Sequence, residues 1–104
     1  MLEFDEELAL KKIMEEDHCG EELAQAFIDN GIKKHMNEAL YPMFEAWLKG
    51  KNPPFEFHGL TLSEIMEKEH ESYIGAISRM SFILNQSDPI AEVEWYKNRN
   101  FHRK

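Results

Sequence analysis

The chain has a single cysteine, Cys19, which excludes an intrachain disulfide. No apolar run reaches the roughly 18 residues that a membrane-spanning helix needs. Its five glycines, Gly20, Gly31, Gly50, Gly59 and Gly75, are scattered, so nucleotide chemistry built on a glycine-rich phosphate loop is ruled out. No internal repeat and no low-complexity tract is present, which excludes a solenoid. Bases are scarce beside acids, 12 against 20. The opening residues Met1 to Glu7 are acidic and lack the basic and apolar regions of a secretory signal. With one unpaired thiol, this leads us to expect a reducing, cytoplasmic setting.

What remains is a chain of 104 residues, 42% hydrophobic and 31% charged, enough for one core and too short for two. We read 1–104 as a single helical domain. The net charge of -8 is unevenly spread: residues 1–30 carry -8, 31–60 carry +1, 61–94 carry -5 and the last ten carry +4. An acidic front and a basic tail at 97–104 thus share one small body, an asymmetry able to steer a charged partner.

Helical periodicity dominates the pattern. Asp5 reads as an N-cap with Glu6 and Glu7 in the first turn, and Leu8, Ala9, Ile13 and Met14 follow as an apolar stripe. Glu7 and Lys11 stand as an i,i+4 pair, and His18-Cys19-Gly20 ends the helix, with glycine in the left-handed position. Residues 21–29 restart a helix that buries Leu23, Ala24, Phe27 and Ile28, stopped by Asn30-Gly31. From Ile32 to Leu48 the apolar spacing predicts a long face, kinked or restarted at Pro42. Asn52-Pro53-Pro54 breaks the chain, and Phe55 to His58 reads as loop because no second β-run exists to pair with it. Thr61-Leu62-Ser63-Glu64 forms a capping box flanked by Leu60 and Ile65. It should open one long helix over about 61–86, with Met66, His70, Tyr73, Ile77, Met80 and Leu84 as its seam. Phe82 and Ile83 widen that seam, which implies deep burial there or a homodimer. Asp88-Pro89 starts a last helix that buries Ile90, Val93 and one of Trp95 and Tyr96. The fold class is all-α, a compact bundle of four to five helices.

Three constellations bear on chemistry. Glu15-x-x-His18 and Glu67-x-x-His70 have the i,i+3 spacing that places a carboxylate and an imidazole on one helix face, as in di-iron bundles, and Glu38 would supply a bridging carboxylate. The run Glu67 to His70 looks like the metal-binding helix of small ferritin-like proteins, over these four positions. That resemblance implies a metal-binding helical dimer holding iron or zinc through Glu15, His18, Glu38, Glu67 and His70. The tail from Trp95 to Lys104 mixes aromatics with bases, as nucleic-acid contact requires, but the body before it carries -12 and would repel phosphate. Finally, Glu3, Glu6, Glu7, Glu15, Glu16, Asp17, Glu21 and Glu22 make the front strongly acidic with no catalytic set beside them. The expected function is therefore a non-enzymatic regulatory or adaptor protein binding a partner with a basic surface, in the manner of an inhibitor of a nucleic-acid-binding protein. Metal binding and nucleic-acid contact are the alternatives.

Overall fold

The computed structural model describes residues 3–99, with side chains through residue 98. It is all-α with one two-residue ribbon. Helix α1 is Glu6–Asp17; α2 begins as Glu21–Phe27, widens into a π-helical segment Ile28–Ile32 and closes with the turn Lys33–His35. A 3-10 turn, Glu38–Leu40, leads into α3, Tyr41–Leu48. Strands β1, Glu56–Phe57, and β2, Leu60–Thr61, pair antiparallel, and α4 (Leu62–Glu69), α5 (Tyr73–Leu84) and α6 (Pro89–Arg99) complete the chain. The core lies between α5 and the others, centred on Ile28, Phe44, Trp47, Ile65, Ile74, Ile77 and Met80, all essentially inaccessible. Among the described residues no helix is long and apolar enough to cross a membrane.

Several starts follow from local chemistry. The Leu8 amide donates to Asp5 Oδ1 at 3.1 Å and the Ala91 amide to Asp88 Oδ1 at 3.2 Å, so both aspartates cap as their positions imply. Thr61 Oγ1 accepts from the Glu64 amide at 3.1 Å, while the Glu64 carboxylate pairs with Lys68 one turn on. Leu60 and Ile65, either side of that cap, are fully buried.

The single helix expected over about 61–86 is two helices. His70 takes the left-handed conformation (φ 55°, ψ 49°), the Glu71 amide reaches back to the Met66 carbonyl at 3.1 Å, and Ser72 Oγ accepts from the Gly75 amide to start α5. A serine cap two residues past a closing histidine outweighs the continuous apolar seam, and of that seam only Tyr73, Ile77 and Met80 are buried. His18 closes α1 in the same way (φ 53°, ψ 45°), so Gly20, expected as the terminator, instead sits extended as the N-cap of α2. A β-carbon in the left-handed region costs about 1 kcal/mol or more. Replacing His70 by glycine should therefore stabilise the protein by about 1 kcal/mol, read as a higher urea midpoint. An unchanged or lower midpoint would mean that the imidazole makes a contact worth as much as the strain.

Three further departures have physical causes. Asn30-Gly31 does not stop α2, because the π-helical segment carries the chain through them. At Gly31 a β-carbon would lie 3.6 Å from the Phe27 ring and 3.8 Å from Ser78 Oγ, ordinary contact distances, so this glycine faces α5 without being required by the packing. The long face from Ile32 breaks at Met36-Asn37 rather than at Pro42: Asn37 is extended, its Oδ1 accepts from the Ala39 amide at 2.9 Å, and Pro42 falls in the first turn of α3, where no donor is needed. Residues 55–58, read as loop, contain β1; its partner β2 lies just beyond a two-residue turn, His58-Gly59, with both φ positive (49° and 86°), the turn that matches strand twist.

The helices are tied by a few polar contacts. Trp47 Nε1 donates to Glu16 Oε1 at 3.1 Å, and Lys12 Nζ lies 5.0 Å from the indole ring centre while pairing with Glu16 at 3.7 Å. The expected Glu7–Lys11 pair is not formed. Tyr73 OH donates to the Pro53 carbonyl at 2.5 Å, and burial pushes this phenol up to about 12. Arg79 bonds to Glu71 and lies 3.9 Å from Glu69, which in turn accepts from Tyr96 OH at 2.9 Å, so one guanidinium braces α4, α5 and α6. The hydrogen bond that Arg79 donates to Glu71, with the charges of Glu71 and Glu69 behind it, holds the guanidinium above its ordinary value.

Candidate partner-binding surface

The eight acids of the front fall into two groups. Two are engaged within the fold. Glu6 pairs with Lys33 at 2.9 Å, a bond that raises the Lys33 ammonium above its usual range, and Glu16 holds Trp47 and Lys12. The other six, Glu3, Glu7, Glu15, Asp17, Glu21 and Glu22, are exposed and form no ion pair among the described residues. Their placement follows from the helix that carries them. Ala9 and Ile13 turn inward, so Glu7, Lys11 and Glu15, at four-residue steps, must run along the outward side of α1. Glu21 and Glu22 occupy the first turn of α2, where the helix dipole favours negative charge. Between the two helices lies a shallow hollow lined by the apolar Leu8, Leu10 and Met14, the acids Asp5, Glu7 and Glu21 and one base, Lys11.

The metal-binding alternative fares differently. His18 and His70, one from each Glu-x-x-His pair, come to a single hollow that Glu16, Asp17 and Glu71 also line. Glu15 and Glu67 do not line it. The shared helix face of an i,i+3 pair requires both residues to be helical, and each histidine has already left its helix for the left-handed cap. Glu38 sits exposed in the 3-10 turn before α3. Among the described residues no three histidine, cysteine or acidic side chains come together as a metal-binding group. The basic tail is described only in part: Lys97 Nζ donates to the Gly59 carbonyl at 2.9 Å, and residues 100–104 lie outside the described residues.

The surface also carries apolar residues that periodicity assigned to the core. Leu23 is 68% exposed, Phe82 62% and Trp95 61%, with Ile90 partly exposed beside them, while Ala24, Ile83, Val93 and Tyr96 take the buried positions. On α5 the outward side reads Gly75, Ser78, Arg79 and Phe82, and Phe27 of α2 lies against it. The signal that could have found this side is the pair of small residues Gly75 and Ser78 one turn apart, which makes a helix face too thin to be a core seam. Trp95 next to Tyr96 offered a second clue, since adjacent helical residues point about 100° apart and the narrow buried face of α6, Val93 and Tyr96, takes only one of the two. Compared with models of known families, with curated proteins and with solved structures, the chain matches none.

Proposed function

We propose that this chain is a non-enzymatic regulatory or adaptor protein that binds a basic protein partner through the acidic face formed by α1 and the opening turn of α2. The observation that supports it is that six of the eight front acids form no ion pair among the described residues. Crowded like charges destabilise a small domain by self-repulsion and focus a field that draws in a cationic surface. A groove built to hold nucleic-acid phosphates is one such surface, and covering it would make the chain an inhibitor. The lone thiol of Cys19 fits a cytoplasmic setting.

Charge reversal tests the reading. Glu7, Glu15 and Glu22 form no hydrogen bond or ion pair among the described residues. Reversal at the first-turn positions Glu7 and Glu22 loses about 0.3 to 1 kcal/mol each of helix-dipole stabilisation, and the triple variant Glu7→Lys, Glu15→Lys, Glu22→Lys should still fold by circular dichroism. Glu16 is unsuitable because it anchors Trp47. A partner captured by the wild type should bind the triple variant roughly tenfold or more weakly. A partner retained at full affinity would remove the acidic face from recognition.

A further inference from the structure

Three hollows adjoin along the outward side of α5. The first, at its N-terminal end, contains Asp17; the second runs past Phe27, Gly75 and Ser78 to Phe82; the third continues from Phe82 to Ala91, Glu92 and Trp95 of α6. They share Gly75 and Phe27 at one junction and Phe82 at the other. Together they form one furrow whose middle part, from Gly75 to Phe82, spans about 10 Å along the helix axis. Its floor is shallow at Gly75 and Ser78 because neither side chain is large, Phe27 and Phe82 flank its middle part, and the hollow at the N-terminal end is mostly polar, lined by Glu16, Asp17, His18, His70, Glu71 and Ser72. The charge is arranged along it as well. Arg79 is taken up by Glu71 and Glu69, one guanidinium against two carboxylates, so the centre offers no free positive charge. Asp17 stands at one end and Glu92 at the other, neither in an ion pair among the described residues.

We infer that this furrow docks an amphipathic helix of a basic partner protein, apolar residues at three- and four-residue steps seated against Phe27, Phe82 and Trp95, with lysine or arginine near both ends facing Asp17 and Glu92. The inference rests on the reading of the chain as a binder of basic proteins and adds where and in what form such a partner is held. Shape selects the helix: the stretch between Phe27, Phe82 and Trp95, floored by Gly75 and Ser78, accepts the side-chain ridge of one helix, which buries apolar area without needing backbone partners. Charge selects the partner over a second copy of this chain. Two copies would each bring a net -8, and packing furrow against furrow sets an acidic end on an acidic end in either direction. A helix bearing cations at its ends is complemented instead. Phe82 is the anchor, since an exposed aromatic at the junction of two hollows is the kind of side chain that carries most of an interface's energy.

The probe is a synthetic helix of about 14 residues, about 21 Å long, with leucines on one face and lysines elsewhere. Its counterpart carries glutamate in place of every lysine. Binding to the full chain is followed by calorimetry. The lysine peptide should bind and the glutamate peptide should not; Phe82→Ala should weaken the lysine peptide roughly tenfold or more with unchanged circular dichroism, and Trp95→Ala should weaken it in the same direction. The triple reversal at Glu7, Glu15 and Glu22, away from the furrow, should change that affinity only a few-fold. Unchanged affinity in Phe82→Ala overturns the docking site; if the triple reversal then abolishes binding, the acidic-face reading stands without it. Loss in Phe82→Ala with at most a few-fold effect of the triple reversal supports the docking site, and the acidic face is then judged by the triple reversal's effect on a captured partner. Equal binding of the two peptides, or none, overturns the inference. So does a dimer in sedimentation that Phe82→Ala disperses, which makes a second copy the occupant, or binding that appears only after residues 100–104 are deleted, which makes the chain's own tail the occupant.

Discussion

Trp47→Ala should cost about 3 to 5 kcal/mol of folding stability, a third or more of what a domain of this size possesses. The indole is fully buried, stacks on Phe44 with ring centres 5.7 Å apart and has Lys12 over its face. Removing it opens a cavity between α1, α3 and the core and leaves Glu16 without its donor. Trp47→Phe keeps most of the volume and loses only the hydrogen bond to a charged acceptor, so its cost should be about 1.5 to 3 kcal/mol. Urea unfolding followed by circular dichroism checks both values. Trp95, exposed on α6, remains as a fluorescent reporter in either variant. Equal costs for the two substitutions would assign the stability to the Glu16 contact rather than to packing.

Asn37→Ala should cost about 1.5 to 2 kcal/mol, more than a half-buried polar residue between helices usually contributes. Its Oδ1 caps the 3-10 turn through the Ala39 amide, and its Nδ2 donates to Asn85 Oδ1 at 2.8 Å. Asn85 Nδ2 in turn donates to the His35 carbonyl at 2.8 Å, and the Asn37 amide donates to the buried Ser81 Oγ at 3.1 Å. The turn after α2 is thereby fastened to the C-terminal end of α5. The loss combines a cap, worth about 1 kcal/mol, with a cross-link worth up to about 1 kcal/mol; Asn85 is exposed and its freed oxygen turns to water. Asn37→Asp keeps the cap and removes the donor, so it should fall between alanine and wild type. If Asn37→Ala costs less than 1 kcal/mol, water replaces the knot and the break at residue 36 has another cause.

The sequence carried the helical class, the starts of α1, α4 and α6, and most of the core, because each rests on local signals: Asp5, Thr61 and Asp88 cap whatever follows them. The ends were harder. Closure by His18 and His70 depends on a left-handed residue that is rarely histidine, and the α4–α5 break depends on Ser72 winning over an apolar seam that would support one helix equally well. The break at Asn37 was hidden for a different reason, since its partners Ser81 and Asn85 lie more than forty positions away. The same limit governs the surface. Counting charge located the acidic front, but that Glu6 and Glu16 are spent on Lys33, Lys12 and Trp47 needs the packing of helices. Phe82 and Trp95 look like core in a list of apolar residues. They become a candidate contact only when α2 and α6 are seen beside α5.

The central claim is that the uncompensated carboxylates of α1 and α2 draw in a basic protein. Its most direct test is the salt dependence of affinity for a captured partner, measured for the wild type and for the triple reversal at Glu7, Glu15 and Glu22. The account predicts that affinity falls steeply as ionic strength rises for the wild type and that the variant, already weaker, has a distinctly shallower slope. Two parallel lines would contradict it, for they would place the charges that matter somewhere else on the molecule.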